Sequence, residues 1–236
     1  MDNILLPAAG ERSLSFYLAM EEYVAAAIGC GFFVWRVAPT VIIGRNQDLS
    51  AEVNLEYCRA NGINVVRRKS GGGCVYADRG NLMVSYITPQ KGVEEVFGEY
   101  LGKLAAFLQG LGLPAVRTEH NDIMVNGYKV SGNAFFVHPG ASIVHGTLLH
   151  SVDFDVLQTA ITPSQQKLAK HGVASVRQRV ANLRELGLTM TPQELDDALV
   201  AYFCTGSRTL DAADLERIAS IRESYDNPRF ILGNTA

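Results

Sequence analysis

Apolar residues recur at helical spacing over Leu14–Ile28, where Phe16, Met20, Tyr23, Val24 and Ala27 share one face and Gly29 and Gly31 follow as stops. Two short β-rich runs, Phe32–Val37 and Thr40–Ile43, flank Ala38-Pro39. Ala51–Ala60 reads as a helix stopped by Asn61-Gly62, and Ile63–Val66 as a strand. Strands are predicted again near Cys74–Tyr76 and Leu82–Ile87. The strongest helical pattern is Gly92–Gly112, with Val93, Val96, Phe97, Tyr100, Leu101, Leu104 and Leu108 in register. A β region, Ala115–Leu149, follows, with a hairpin signal at Asn126-Gly127.

From Thr162 onward the pattern is helical. Thr162-Pro163-Ser164-Gln165 and Thr191-Pro192-Gln193-Glu194 both have the form of capping boxes with proline at the first helical position. A last helix is predicted from Asp211 to Tyr225, with Pro228 beyond it and no assigned partner for Asn227–Ala236. Helix and strand are mixed without strict βαβ alternation. The expectation is one α+β domain over residues 1–236, with a mixed or largely antiparallel sheet flanked by helices and a helical third from about residue 154.

Composition narrows the partners. Apolar residues make up 47% and charged residues 19%, as in ordinary globular chains. The net charge of −3 disfavours binding driven by phosphate neutralisation along a nucleic acid. No apolar run reaches the ~20 residues of a membrane span, and the N-terminal residues do not read as a signal peptide. Four scattered cysteines without a Cys-x-x-Cys pair predict reduced thiols in a cytoplasmic protein, with no expected membrane or nucleic-acid partner.

Candidate chemistry lies in three segments. In Arg67-Arg68-Lys69-Ser70-Gly71-Gly72-Gly73-Cys74-Val75-Tyr76, three glycines after a strand can approach a ligand, and their N–H groups can form an anion nest beside three cations. The loop lacks both the Walker spacing and Gly-x-Gly-x-x-Gly. On its own it reads also as an exposed turn with basic flanks. In Asn121-Asp122-Ile123 through Lys129-Val130-Ser131-Gly132-Asn133-Ala134, a lysine beside small residues either projects into a pocket or stands exposed on a strand. His145-Gly146-Thr147-Leu148-Leu149 offers a histidine that is either structural or catalytic.

Taken together, these blocks resemble the lipoate–protein ligase A family of the biotin/lipoate ligase and transferase superfamily. The resemblance extends to Trp35-Arg36, to Val41-Ile42-Ile43-Gly44-Arg45-Asn46-Gln47, and to Lys167-Leu168, His171-Gly172-Val173, Ser175-Val176-Arg177, Arg179-Val180 and Asn182-Leu183. It implies a biotin/lipoate ligase catalytic-domain fold. It implies activation of lipoate with ATP and Mg²⁺ to lipoyl-AMP, then transfer to a lysine of lipoyl domains in 2-oxoacid dehydrogenase complexes or of the glycine-cleavage H protein. By resemblance Lys129 is the essential lysine. The nucleotide or acyl-adenylate contacts fall on Arg68, Ser70, Gly71, Gly72, Gly73, Cys74, Val75, Tyr76, Asn121, Asp122, Ser131, Gly132, His145, Gly146 and Thr147, with no metal ligand assigned. Trp35 and Val41 are expected to line the acyl tunnel.

Two departures qualify the resemblance. Ala77-Asp78 stands where many members have His-Asp. No C-terminal accessory domain like that of many bacterial ligases is expected in this sequence, which makes a separate accessory protein an expected partner. The alternatives are an octanoyl or lipoyl transferase with a protein-bound acyl donor, or a non-catalytic homologue. Transferases of this superfamily use a cysteine, and neither expected position has one: the first stretch reads Arg117-Thr118-Glu119-His120, and the second position is Ser142.

Overall fold

The run Leu82–Ile87 is apolar on both sides, so it needs cover on both faces, and the computed structural model, which describes residues 1–162 and 179–233, places it at the centre of a sheet. It forms β6 (Asn81–Pro89), buried throughout except at Pro89. Before it come β1 (Asp2–Leu5), α1 (Leu14–Ala27), β2 (Gly31–Trp35), β3 (Thr40–Ile43), α2 (Leu49–Glu52), α3 (Leu55–Ala60), β4 (Asn64–Arg67) and β5 (Val75–Ala77). After it come α4 (Val93–Gly110), β7 (Ala115–Arg117), β8 (Asp122–Val125), β9 (Tyr128–His138), β10 (Ala141–Leu149) and α5 (Phe154–Ala160). The remaining elements are α6 (Pro192–Phe203), β11 (Gly206–Thr209), α7 (Ala212–Asp226) and α8 (Pro228–Leu232).

The larger sheet has the order β11-β1-β2-β6-β10-β9-β8-β7, and the smaller one β4-β3-β5. The large sheet is antiparallel from β2 to β7 and parallel across β11-β1-β2. In the small sheet β3 runs parallel to β4 and antiparallel to β5. The α+β expectation with a largely antiparallel core is met. On one face of the large sheet, α4 and α6 bury Leu104, Leu108, Leu195 and Phe203 against Leu82 and Val84. On the other, α1 packs Met20 and Val24 against Phe33, Trp35 and Met83, with α7 outside it. The small sheet has its own core with α3 and α5, built on Val41, Ile43, Cys58 and Phe154. No helix among the described residues is long and apolar enough to cross a membrane.

Several local expectations hold. Asn126 (φ 50°) and Gly127 (φ 82°) are both left-handed, as a two-residue β8–β9 hairpin turn demands. Thr191 and Glu194 form the reciprocal capping box that starts α6. Others need correction. The helix expected over Ala51–Ala60 is two helices, because Val53 bridges to Ile161 and Asn54 caps α3 through the Tyr57 N–H. The strand Phe32–Val37 ends at Trp35. Residues 179–191 are bridge and turn rather than helix, and Val180 pairs with Lys129. The box predicted at Thr162-Pro163-Ser164-Gln165 lies, after Thr162, outside the described residues.

The strands β1 and β11 were not predicted, since they gain their strand character from pairing, β11 with β1 and β1 also with β2. The tail also has a partner. Asn227 caps α8, and the Phe230 and Ile231 carbonyls accept from Arg67 Nε at 3.0 and 3.1 Å.

Candidate active site

Cross-strand register builds the site. Asp122 pairs with Gly132, Gly132 with Thr147, Thr147 with Met83, and Met83 with Trp35, so these five residues share one face in a row from β8 to β2. A cavity of about 490 Å³ runs along this row, closed by α1, the small sheet and α5. Its walls at the β2 end are apolar: Leu14, Leu18, Trp35, Ile42 and Met83. Leu149, Leu157 and Ile161 line it too. Trp35 is a liner as expected. Val41 is not, because it points into the core of the small sheet on the opposite side from Ile42.

The polar end holds an ion triad. A register shift between Ile123 and Met124 brings Lys129 back over the strand pair, where its Nζ lies 2.7 Å from Asp122 Oδ1. Arg179 donates to the other carboxylate oxygen at 2.5 Å. Lys129 is fixed through its backbone as well: its N–H donates to Arg179 O at 2.9 Å, and its carbonyl accepts from Ala181 N at 3.2 Å. Burial pushes the Lys129 ammonium below the ordinary lysine range, with Asp122 opposing the shift. Gly132 leaves room for it, since a Cβ there would sit 2.6 Å from Lys129 Nζ and displace the ammonium.

The glycine loop is held by Arg68. Its Nη2 donates to Gly71 O (2.8 Å) and Gly73 O (2.7 Å), its Nε to Gly71 O (3.2 Å) and its Nη1 to Ile42 O (3.2 Å). Desolvation lowers its pKa to about 10, so a cation is kept buried to fold this loop. Gly72 is left-handed at φ +95°, and its carbonyl approaches Gly44 so closely that a Cβ at Gly44 would lie 2.1 Å away.

The three cations read as converging on a ligand do not converge. Strand alternation sends Arg67 away from the cavity, where Nη1 donates to the Gly44, Arg45 and Gln47 carbonyls and Nε to the tail. Lys69 pairs with Glu22 at 2.8 Å and lies 4.5 Å from the Tyr225 ring centroid. Only Arg68 reaches the cavity wall.

His145 is the hub of a buried polar chain. Its Nε2 lies 2.7 Å from Ser70 Oγ and its Nδ1 2.8 Å from Glu21 Oε2. Ser85 donates to Glu21 Oε1 at 2.5 Å and accepts from Trp35 Nε1 at 2.8 Å. The chain ties the glycine loop, the large sheet and α1 into one unit behind the acyl-sized apolar wall.

Of the residues predicted for the site, Arg68, Gly72, Gly73, Cys74, Val75 and Tyr76 line the cavity from the loop and β5. Asn121, Asp122, Lys129, Gly132, His145, Gly146 and Thr147 line it from the large sheet. Three do not. Ser70 is buried behind His145, Gly71 faces a neighbouring cavity, and Ser131 lies beneath Asn133, whose Nδ2 donates to it at 3.1 Å. Ala77 is fully buried in β5, and Asp78 closes the next turn by accepting from Gly80 N and Asp153 N.

Sequence reading missed Glu21 and Asn133, and left Arg179 in a matching block without a role. Glu21 gives no signal on a helix whose other buried neighbours are apolar. Arg179 lies far along the chain from Asp122, and only the fold joins them.

A family model described as the lipoyl protein ligase A/B catalytic domain matches residues 13–204. The chain belongs to that family. Among curated relatives, lipoate–protein ligase 1 of Staphylococcus aureus is 41% identical over 172 residues, covering 71% of this chain and 52% of that protein. The chain spans about half the length of the curated relatives it matches.

Among solved structures, the bipartite lipoate protein ligase of Thermoplasma acidophilum superposes with a TM-score of 0.87 at 25% identity, covering 100% of this chain and 98% of that one. A lipoate-protein ligase A bound with ATP gives 0.86 at 25% identity, covering 100% of both. The lipoate–protein ligase catalytic-domain fold expected from the motifs is thereby established.

Among the described residues no group of three His, Cys, Asp or Glu side chains could hold a metal ion by itself. Both Asp122 oxygens already face cations. A protein-held Mg²⁺ site does not fit these residues.

Proposed function

We propose that this chain is the catalytic domain of a lipoate–protein ligase. It takes lipoate and ATP to lipoyl-AMP and passes the lipoyl group to a lysine of a lipoyl-domain protein. The observation that carries this reading is the Lys129–Asp122–Arg179 triad at the polar end of an otherwise apolar cavity. The apolar walls suit a medium-length acyl chain whose carboxyl group lies at the triad.

Attack of that carboxylate on the α-phosphate builds negative charge, which the fixed Lys129 ammonium and Arg179 guanidinium stabilise in a poorly solvated site. Asp122 holds both cations in place and keeps Lys129 charged against its burial. In the transfer step the same ammonium polarises the acyl carbonyl. Arg68 acts by shaping the loop, and the N–H groups of Gly73, Cys74 and Val75 are the candidate phosphate donors.

The bipartite relative supports a second chain as the partner in activation. Lipoyl domains of 2-oxoacid dehydrogenase complexes or the glycine-cleavage H protein are the proposed acceptors, in the cytoplasm.

The cysteine-dependent transferase reading is weaker. Ser142 is buried outside the cavity and donates to Lys91 O at 3.2 Å. Cys74 is the cysteine that lines the cavity. The deciding experiment is the intact mass of a lipoyl domain incubated with this chain and either lipoate plus Mg-ATP or lipoyl-AMP. A lipoyl mass gain in at least the second tube is expected. A gain in neither, with acylation from an octanoyl-carrier protein instead, would overturn the ligase reading.

A further inference from the structure

A second cavity, of about 780 Å³, lies on the other face of the large sheet, between α4 and the β7–β8 connection. It opens to solvent and meets the first cavity at a shared wall of Gly72, His120, Asn121, Asn133 and Ala134. We propose that this second cavity is the channel through which the acceptor lysine reaches the acyl-adenylate, and that His120, on the wall the two cavities share, takes the proton the amine gives up. The inference rests on the ligase reading and extends it to the site of the protein acceptor.

Four observations carry it. The first is position: the wall shared with the acyl cavity begins one residue from Asp122, which holds Lys129. The second is a buried acceptor without a donor. Asn133 is 4% exposed, and its Nδ2 is engaged by Asn121 O at 2.8 Å and Ser131 Oγ, yet its Oδ1 has no hydrogen-bond partner. That oxygen points to the α4 side of the sheet, where it occupies the place a Cβ on Gly146 would take. A buried oxygen of this kind is destabilising unless an N–H reaches it, and an amine that shifts it from its packing against Gly146 supplies one.

The third is chemistry. Phe97, Leu101 and Phe135 suit the four-carbon stem of a lysine, while Glu94 and Glu119 against Arg117 give the cavity a net negative lining. The fourth is His120 itself: it lines both cavities, and no ring hydrogen bond ties it elsewhere among the described residues. The charged groups around it are Glu94 from α4, Arg117 and Glu119 from its own segment, and Asp122, Lys129 and Arg179 across the wall.

The step balances as follows. The acceptor amine enters neutral, having left its ammonium proton in bulk water. Its nitrogen forms the C–N bond to the acyl carbon, and the anhydride C–O bond breaks, with the electron pair leaving on the AMP phosphate. The proton displaced from nitrogen passes to the His120 imidazole and on to water.

The test uses the full chain, preformed lipoyl-AMP and two nucleophiles: a lipoyl domain, and hydroxylamine, which is small enough not to need the channel. Gly98→Leu plugs the cavity from α4, where a Cβ meets only Arg117 Nη1 at 3.5 Å. Transfer to the lipoyl domain is expected to fall about 100-fold, and hydroxamate formation by less than about three-fold. In His120→Gln, an exposed substitution, transfer falls by about 100-fold. Equal transfer by Gly98→Leu and the unaltered chain overturns the channel, and equal transfer by His120→Gln overturns the role of His120, each leaving the ligase reading intact. No transfer by the unaltered chain overturns both.

Discussion

Lys129 Nζ lies 2.7 Å from Asp122 Oδ1, and the carboxylate's second oxygen receives Arg179. One anion therefore positions two cations from segments about fifty residues apart, at the end of a cavity otherwise walled by hydrocarbon. Such a lysine is fixed in direction and lowered in proton affinity. Both properties suit a group that must meet developing negative charge repeatedly.

The direction of its shift gives a pH dependence. Burial lowers the folded-state pKa of Lys129, and the ammonium is lost as pH rises through that lowered value. Turnover with saturating lipoyl-AMP is therefore expected to decline at a pH below the ~10.4 of an unperturbed lysine. Lys129→Arg stays charged, so its alkaline limb moves upward although its rate is lower. An alkaline limb at the same pH in both proteins would show that Lys129 does not set it.

The glycine loop depends on one guanidinium fork. Arg68 reaches the Gly71, Gly73 and Ile42 carbonyls together, which a lysine's single ammonium cannot do. Arg68→Lys is expected to keep the fold while lowering activity by about ten-fold or more, roughly 1.4 kcal/mol of transition-state stabilisation. Amide exchange over residues 71–73 should quicken by a similar factor. Unchanged exchange there would contradict the clamp.

On the opposite face, Arg36 donates to both oxygens of Asp196, at 2.7 Å to Oδ1, and to Pro192 O at 2.9 Å, fastening α6 to the end of β2. Burial already raises the Asp196 pKa, and removing the guanidinium strands that carboxylate. Arg36→Met should lower the unfolding free energy by about 3 kcal/mol at neutral pH. The double variant Arg36→Met/Asp196→Leu should recover much of it. Urea denaturation measures both, and a single variant within about 0.5 kcal/mol of the unaltered chain would remove the pair from the account.

Much of this was legible in the residues because it is local. The long helix α4 follows from its 3.6-residue period, the β8–β9 hairpin from Asn126-Gly127, and α6 from its capping box. The glycine loop and Lys129 stood out as small residues beside cations. What was illegible depends on long-range contact. β1 and β11 are strands only because they pair, and Arg67 and Lys69 turn away from the cavity because of strand alternation and the C-terminal helices. Ser70 was readable as a loop hydroxyl, but not as the buried partner of a histidine seventy-five residues away. Val41 and Ile42 are equally apolar, and only register decides that Ile42 meets the cavity.

The central claim is that Lys129 carries the acyl chemistry. Its most direct test is the rate at which a lipoyl domain gains lipoyl mass from preformed lipoyl-AMP, measured with the unaltered chain and with Lys129→Ala of equal thermal stability. Transfer by the unaltered chain and loss of about 100-fold or more in the variant is the predicted result. Equal rates would contradict the assignment of Lys129 and of the triad around it.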